Sequence, residues 1–146
     1  MNKLTHETQP LFPSEIFHLL HQTVLEYDAD QQAELFASDA VWEFPFAPEG
    51  TPHIISGSDR IVAVARTGME KSKQKGRHIT GYHHIKIYET KDPEVIFAEF
   101  ELHGEIAATG ETYQIPYIQL LKVHKGKIVL LRDYFPGEVL KMIHEK

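Results

Sequence analysis

The chain has 146 residues, of which 42% are hydrophobic and 25% charged, with a net charge of −6 and no cysteine. The lack of cysteine excludes disulfides, thiolate catalysis and cysteine-ligated zinc, and no apolar run approaches the ~20 residues that span a bilayer. The acidic balance disfavours nucleic-acid binding, because contacts to phosphates require a basic face. We expect a cytoplasmic protein with a flexible tail, residues 1–13, that lacks a signal-peptide pattern, followed by one domain, residues 14–146.

Three helices are predicted in the N-terminal half. Their candidate N-cap residues are Ser14, then Asp28 or Asp30, then Ser58. The first two helices are predicted over about 14–27 and 31–36, where apolar residues recur at helical spacing. The third is expected to end in the lysine cluster near 71–75 and to turn four residues inward: Ile61, Val64, Ala65 and Gly68.

Strands dominate the rest of the sequence. They are predicted over 41–46, 78–90, 95–104, 112–123 and 127–135. Trp42, Phe44 and Phe46 alternate onto one face of the first strand, and Pro45 indicates an edge strand or a bulge. Helices followed by a long antiparallel meander predict an α+β fold, in which a curved sheet covers the first helices.

The last two predicted strands form a hairpin that ends in Arg132-Asp133-Tyr134-Phe135. A three-residue loop with Gly126 in the left-handed conformation predicts that Val123 pairs with Lys127 and Asp133 with Tyr117. Alternation then places Asp133 on one face with Tyr117, Gln119, Leu121 and Leu131. A carboxylate among such side chains is costly to bury, so Asp133 is the strongest functional indication in the sequence.

Burial would raise the pKa of Asp133 toward neutral pH, which suits general acid–base catalysis. The alternative is a structural ion pair or a turn contact. Arg132 is a poor partner for such a pair, because it points to the opposite face of the strand.

Further candidate residues have two interpretations each. Glu99, Glu101 and His103 alternate along one strand and either line a pocket mouth or face water; Glu99 lies deepest in the strand. An aromatic set either holds a flat ligand or belongs to the core: Trp42, Phe44, Tyr113 and Tyr117. Tyr117 could also donate a hydrogen bond to a developing enolate.

The ten histidines do not indicate a metal site. His83 and His84 are adjacent in a strand and should point to opposite faces, and the Glu15–His18 spacing lacks the second pair that a di-iron site requires. One of His83 and His84 must face inward, so His84 is a candidate to hydrogen-bond a substrate oxygen, with a core histidine as the alternative. No dinucleotide or phosphate-binding motif is present, and we expect neither metal nor cofactor.

The outer face of the predicted sheet is unusually apolar. Four residues make it so: Ile118, Leu120, Ile128 and Leu130. A wide apolar patch on an outer face usually marks a partner surface, which predicts a sheet-to-sheet homodimer.

The order of predicted elements, Gly57 and three short segments resemble the SnoaL-like proteins of the nuclear transport factor 2-like superfamily. The segments are Ala108-Thr109-Gly110, Gly126-Lys127-Ile128 and Arg132-Asp133-Tyr134-Phe135. The run from Ile87 to Pro93 and the pair Ala98-Glu99 resemble the phenazine-biosynthesis A/B-type proteins within that group. The resemblance implies a cone-shaped α+β fold with a deep pocket, in which a curved antiparallel or mixed sheet wraps around the N-terminal helices.

The resemblance also implies roles for particular residues. In polyketide cyclases of this type an Asp after an Arg on the last strand transfers the proton, which corresponds to Asp133 here. Tyr117 and Gln119 match polar pocket positions, and Trp42 and Phe44 match a pocket wall. This implies a cofactor-independent cyclase or isomerase acting beside the carbonyl of a small apolar or aromatic substrate. A non-catalytic small-molecule binding protein and a dimeric interaction module are the alternatives.

Overall fold

The structure, a computed structural model, describes residues 11–138, so the predicted tail lies almost entirely outside the described residues. The helices are α1 (Pro13–Leu25), α2 (Ala29–Glu34) and α3 (Ser58–Gln74). The strands are β1 (Phe36–Glu43), β2 (Ile54–Ser56), β3 (Arg77–Glu89), β4 (Val95–Ile106), β5 (Glu111–His124) and β6 (Lys127–Tyr134). None of the described helices is both long and apolar enough to cross a membrane.

The six strands form one curved, open sheet in the order β2-β1-β6-β5-β4-β3. Neighbouring strands are antiparallel except β1 and β6, which run parallel. Helix α1 packs on β3, β4 and β5, and α3 packs on β1, β2 and β3. We call the helix-covered side of the sheet the inner face and the opposite side the outer face. The predicted α+β class with a mixed sheet is confirmed.

The core lies between the helices and the inner face. Along β4, residues of even number are buried and those of odd number are half-buried, from Ile96 to Ile106. Phe17 of α1 and Leu121 of β5 are completely buried, and burying each such side chain contributes about 1.5–3 kcal/mol. The inner face is therefore the face that apolar burial stabilises.

The helix starts differ in part from the prediction. Helix α1 begins at Pro13, which suits the first helical position because proline has no N–H to leave unpaired. The N–H of the preceding Phe12 donates to the Glu15 carboxylate at 2.8 Å, so Ser14 is not the N-cap. Asp28 does cap α2, because its carboxylate accepts from the Gln31 N–H at 3.0 Å.

Two further predictions about the N-terminal half are wrong. Helix α3 follows Gly57 and turns Ile61 inward, but Val64 is 44% exposed and Gly68 also faces solvent. Strand β1 begins at Phe36 and ends before Pro45, and it lies between β2 and β6 instead of at an edge. Pro45 is compatible with that central position because it lies outside the paired segment.

The register of the β5–β6 hairpin also differs from the prediction. Lys125 and Gly126 have φ angles of 51° and 78°, the pattern of a two-residue type I′ turn, and the pairing shifts between Lys122 and Val123. Asp133 consequently pairs with Gln119 instead of Tyr117. Because the shift is two residues, Asp133 keeps its predicted face. Ile128, in contrast, lies on the inner face and is completely buried.

Candidate functional site

Asp133 is buried on the inner face with both carboxylate oxygens hydrogen-bonded. The residue is only 6% exposed. The indole Nε1–H of Trp42 donates to Oδ2 at 2.9 Å, and the amide Nε2–H of Gln119 donates to Oδ1 at 2.6 Å. Three adjacent strands, β1, β6 and β5, therefore fix the orientation of this carboxylate.

The hydrogen bonds continue from Gln119 to helix α1. The amide oxygen of Gln119 lies 3.0 Å from Nε2 of His21, which is 8% exposed. Because an amide oxygen can only accept, His21 must carry its proton on Nε2. The other ring nitrogen, Nδ1, is buried and has no hydrogen-bond partner among the described residues. We call Trp42, Asp133, Gln119 and His21 the buried polar chain.

Aromatic side chains surround the buried polar chain. We call them the aromatic enclosure: Phe17, Trp42, Phe44, Tyr82, Phe100, Tyr117 and Phe135. The rings contact one another in sequence, from Trp42 to Phe44 at 4.6 Å between centroids, through Phe135, to Tyr117 and Phe100 stacked at 5.2 Å. His21 lies against Tyr82 at 4.2 Å and Phe17 at 4.4 Å. The enclosure removes water from around the carboxylate, which changes its acidity.

Burial sets the protonation states of the site. It raises the pKa of Asp133 to about 6, although the hydrogen bonds from Gln119 and Trp42 lower it. Burial likewise lowers the pKa of His21 to about 4. Burial and the Asp133 charge raise the pKa values of Tyr82 and Tyr117, so both phenols stay protonated. At neutral pH the site thus contains an ionised carboxylate near its protonation midpoint, a neutral imidazole and two phenol donors.

An open cleft of about 590 Å³ lies beside the site. Its lining includes Phe100, Tyr117 and Phe135 of the aromatic enclosure, together with outer-face residues such as Glu99. Asp133 is not among the described residues that line it. Phe100, Tyr117 and Phe135 are therefore the rings at which the enclosure meets the cleft.

Most of the sequence-predicted site residues come together. Trp42 and Gln119 contact Asp133 directly, and Phe44 and Tyr117 belong to the aromatic enclosure. Leu131 lies in the main core on the same face, 3% exposed. Tyr113 lies farther along β5, where its ring covers Gly104.

Glu99 and His84 are not brought to Asp133. Glu99 lies on the outer face, because β4 turns Ala98 and Phe100 inward, and it accepts a hydrogen bond from the Tyr88 hydroxyl at 3.1 Å. The His84 side chain is 74% exposed and lies 3.9 Å from the Glu101 carboxylate.

The expectation that one of His83 and His84 faces inward is also wrong. His84 has a left-handed φ of 57°, and the β3–β4 pairing shifts between His83 and Lys86. This irregularity interrupts the alternation of the strand. Both side chains are consequently exposed, and His83 stacks on His103 with ring centroids 3.9 Å apart.

The sequence interpretation missed His21 and Tyr82. The available signal for His21 was its position four residues after Phe17, which places both on the buried side of α1. Tyr82 gave no comparable signal, because the irregularity two residues later obscures the alternation of β3.

Known proteins resemble this chain over most of its length. A family model described as a SnoaL-like domain matches residues 18–131. The uncharacterised protein YesE of Bacillus subtilis is 34% identical over 118 residues, which are 81% of this chain and 77% of that protein. The uncharacterised PhzA/B-like protein PA3332 of Pseudomonas aeruginosa is 32% identical over 109 residues, 74% of this chain and 72% of that protein. The crystal structure of a candidate isomerase from Bacillus subtilis is 31% identical, with a TM-score of 0.77 over 89% of this chain and 90% of that one.

Proposed function

Because this chain belongs to the SnoaL-like domain family, we propose that it is a cofactor-independent enzyme that moves a proton at the carbon beside a carbonyl group. The substrate is small and apolar or aromatic, and the outcome is isomerisation or cyclisation. The similarity to the candidate isomerase supports this reaction class. The observation that carries the proposal is the Asp133 carboxylate, which is buried, oriented by two hydrogen bonds and has a pKa of about 6.

Asp133 is the general base and then the general acid. Its ionised carboxylate takes the proton from the substrate carbon, the C–H electron pair moves toward the carbonyl oxygen, and the resulting enolate recovers a proton at another carbon. A pKa near the working pH favours transfer in both directions. The protonated phenols of Tyr117 and Tyr82 are suited to donate a hydrogen bond to the enolate oxygen.

The substrate is proposed to reach Asp133 from the open cleft. Tyr117 and Phe135 line the cleft and also contact rings of the aromatic enclosure. Rotation of these two rings would expose the carboxylate without moving the sheet. A mostly aromatic passage favours flat, apolar ligands.

The test is hydrogen–deuterium exchange at the carbon beside the carbonyl of acetophenone, 1-indanone and 2-cyclohexenone, followed by NMR in D₂O. The wild-type protein should accelerate exchange of at least one ketone, and Asp133→Asn should lower that rate by roughly 10²–10⁴-fold. Glu105→Gln, on the outer face and outside the lining of the cleft, is the matched control and should leave the rate unchanged. Equal rates for wild type and Asp133→Asn would contradict the proposal, and ketone binding without exchange would favour a non-catalytic binding protein.

We also propose that two copies associate through the outer face. Apolar side chains are exposed there, including Tyr88 at 50% and Ile118, which also lines the cleft, at 45%. Ile118→Lys should shift the protein toward the monomer in analytical ultracentrifugation. Val64→Lys on α3, a position of similar exposure on the other side of the molecule, is the control and should not. A wild-type monomer would refute this part of the proposal.

A further inference from the structure

The buried polar chain has a direction. Trp42 Nε1 can only donate and an ionised carboxylate can only accept, so Gln119 must turn its NH₂ group toward Asp133. Its oxygen then accepts from His21 Nε2–H. Through these two hydrogen bonds, the ionised carboxylate thus determines that Nδ1 of His21 carries no proton and can only accept.

A proton on Asp133 reverses this direction. Trp42 keeps the Oδ2 position as an acceptor, so the added proton sits on the oxygen that faces Gln119. That O–H donates to the amide of Gln119 once the amide has turned to present its oxygen. The NH₂ group then donates to Nε2 of His21, whose ring proton must be on Nδ1. The amide turns almost isosterically, so the buried surroundings of Gln119 do not need to repack.

We propose that His21 is a positioning residue whose tautomer follows the protonation state of Asp133 through the amide of Gln119. Its Nδ1 accepts a hydrogen bond from the ligand while Asp133 is ionised, and it donates one when Asp133 carries the proton. In the change, Asp133 gains the proton taken from the substrate, while His21 returns its Nε2 proton to solvent and takes one from solvent at Nδ1, so the charge of the ring does not change.

The surroundings of Nδ1 specify the ligand chemistry, an inference that rests on the proposed function. The ring of His21 lies among Phe17, Tyr82 and Phe100, and Nδ1 has no partner there. A buried acceptor without a partner favours a ligand that supplies a donor. The preferred substrate is therefore a carbonyl compound that also carries a hydroxyl group, which can donate to Nδ1 in one state and accept from it in the other.

The test of the tautomer link is ¹⁵N NMR of the histidine rings in the full chain at neutral pH. Wild type should show His21 protonated on Nε2. Asp133→Asn should show it protonated on Nδ1, because Trp42 holds the Asn oxygen and the Asn NH₂ group then donates to the Gln119 oxygen. The signal is assigned by its loss in His21→Gln, and the exposed His18 on the same helix serves as the internal control, with an unchanged spectrum.

The inference is overturned if His21 keeps its Nε2 proton in a folded Asp133→Asn variant, or if wild type already carries the proton on Nδ1. A second variant, Asp133→Asn with Gln119→Met, removes the amide that links residue 133 to His21. The tautomer of His21 should then no longer depend on the residue at position 133. The NMR result does not depend on turnover, and the ketone-exchange assay does not depend on the tautomer. Failure of this inference is therefore distinguishable from failure of the proposed function.

Discussion

The inner and outer faces of the sheet both carry carboxylates with hydrogen-bonded partners, yet their acidities move in opposite directions. Asp133 on the inner face accepts two hydrogen bonds, and burial still raises its pKa to about 6. Glu101 on the outer face is solvated, and the hydrogen bond with His103 at 3.0 Å lowers its pKa. The number of partners does not decide the direction; the loss of water does.

The opposite pKa shifts of Asp133 and Glu101 suit the two carboxylates to different roles. The inner carboxylate is close to its protonation midpoint at physiological pH and can exchange a proton with a ligand. The outer one stays ionised and solvated, in contact with His103 and His84. Four measurements test this contrast.

Gln119→Leu should have the largest effect on the inner face. It leaves Asp133 Oδ1 and His21 Nε2 unpaired in a buried site, which should lower the free energy of unfolding by roughly 2–5 kcal/mol. Gln114→Leu is the matched control, because Gln114 lies on the same strand but is exposed, and its effect should stay within about 0.5 kcal/mol. Urea unfolding measures both, and equal effects would remove the energetic distinction between the faces.

The two buried ionisable groups should give opposite pH dependences of stability. The folded-state pKa of Asp133 is raised from 3.8 to about 6, so its contribution falls as pH rises through that window, by about 3 kcal/mol. The pKa of His21 is lowered from 6.5 to about 4, so its contribution rises over a similar window by about the same amount. In the wild type the two nearly cancel.

Single variants should reveal the pH dependence of stability that each group contributes, measured by urea unfolding from about pH 4 to about pH 6. Asp133→Asn leaves the His21 contribution, and stability should rise with pH relative to the wild type. His21→Gln leaves the Asp133 contribution, and stability should fall with pH. Exposed groups titrate alike in all three proteins, so parallel curves would show that neither group is desolvated.

Gly104→Ala tests how tightly the far end of the inner face is packed. A Cβ at this position would overlap the ring of Tyr113, which covers the glycine. We expect a loss of about 1–3 kcal/mol in thermal or urea unfolding. Tyr113→Leu in the same chain should recover much of it, because the two changes share one contact. Strictly additive losses would mean that the ring does not restrict position 104.

Glu101→Gln should have the smallest effect. The carboxylate is exposed and its contacts with His103 and His84 are screened by water and salt. The urea midpoint should not change measurably. A clear loss of stability would mean that the exposed contacts of the outer face contribute as much as the buried hydrogen bonds of the inner face.

The sequence predicted the class of fold, the face of Asp133 and the exclusion of Arg132 from that face. Arg132 indeed pairs with Glu43 on the other side, at 2.6 Å. The two face assignments follow from alternation, which holds along β6 from Leu130 onward but placed Ile128, nearer the turn, on the wrong face. The pairing of Asp133 with Gln119 was not predictable, because it depends on a type I′ turn and a pairing shift that together move the register by two residues.

His21 illustrates a different limit. Its neighbours Gln119 and Tyr82 are 98 and 61 positions away along the chain, so no local pattern indicates that they meet. His83 and His84 show the converse error, because one left-handed residue ended an alternation that looked regular. The sequence therefore predicts which faces exist more reliably than which residues meet across them.

The parallel pairing of β1 with β6 has a consequence for how the molecule is assembled. Because β6 lies between β1 and β5, a growing polypeptide that ends before Lys127 has two disconnected pieces of sheet, β2-β1 and β5-β4-β3. The indole of Trp42 gains its hydrogen-bond acceptor, Asp133, only after 91 further residues have been synthesised. Joining the pieces closes the longest loop among the strand pairings, which is a slow kind of step. Insertion of β6 is thus the event that turns two half-sheets into an enclosure, and it brings the Asp133 carboxylate to Trp42 and Gln119.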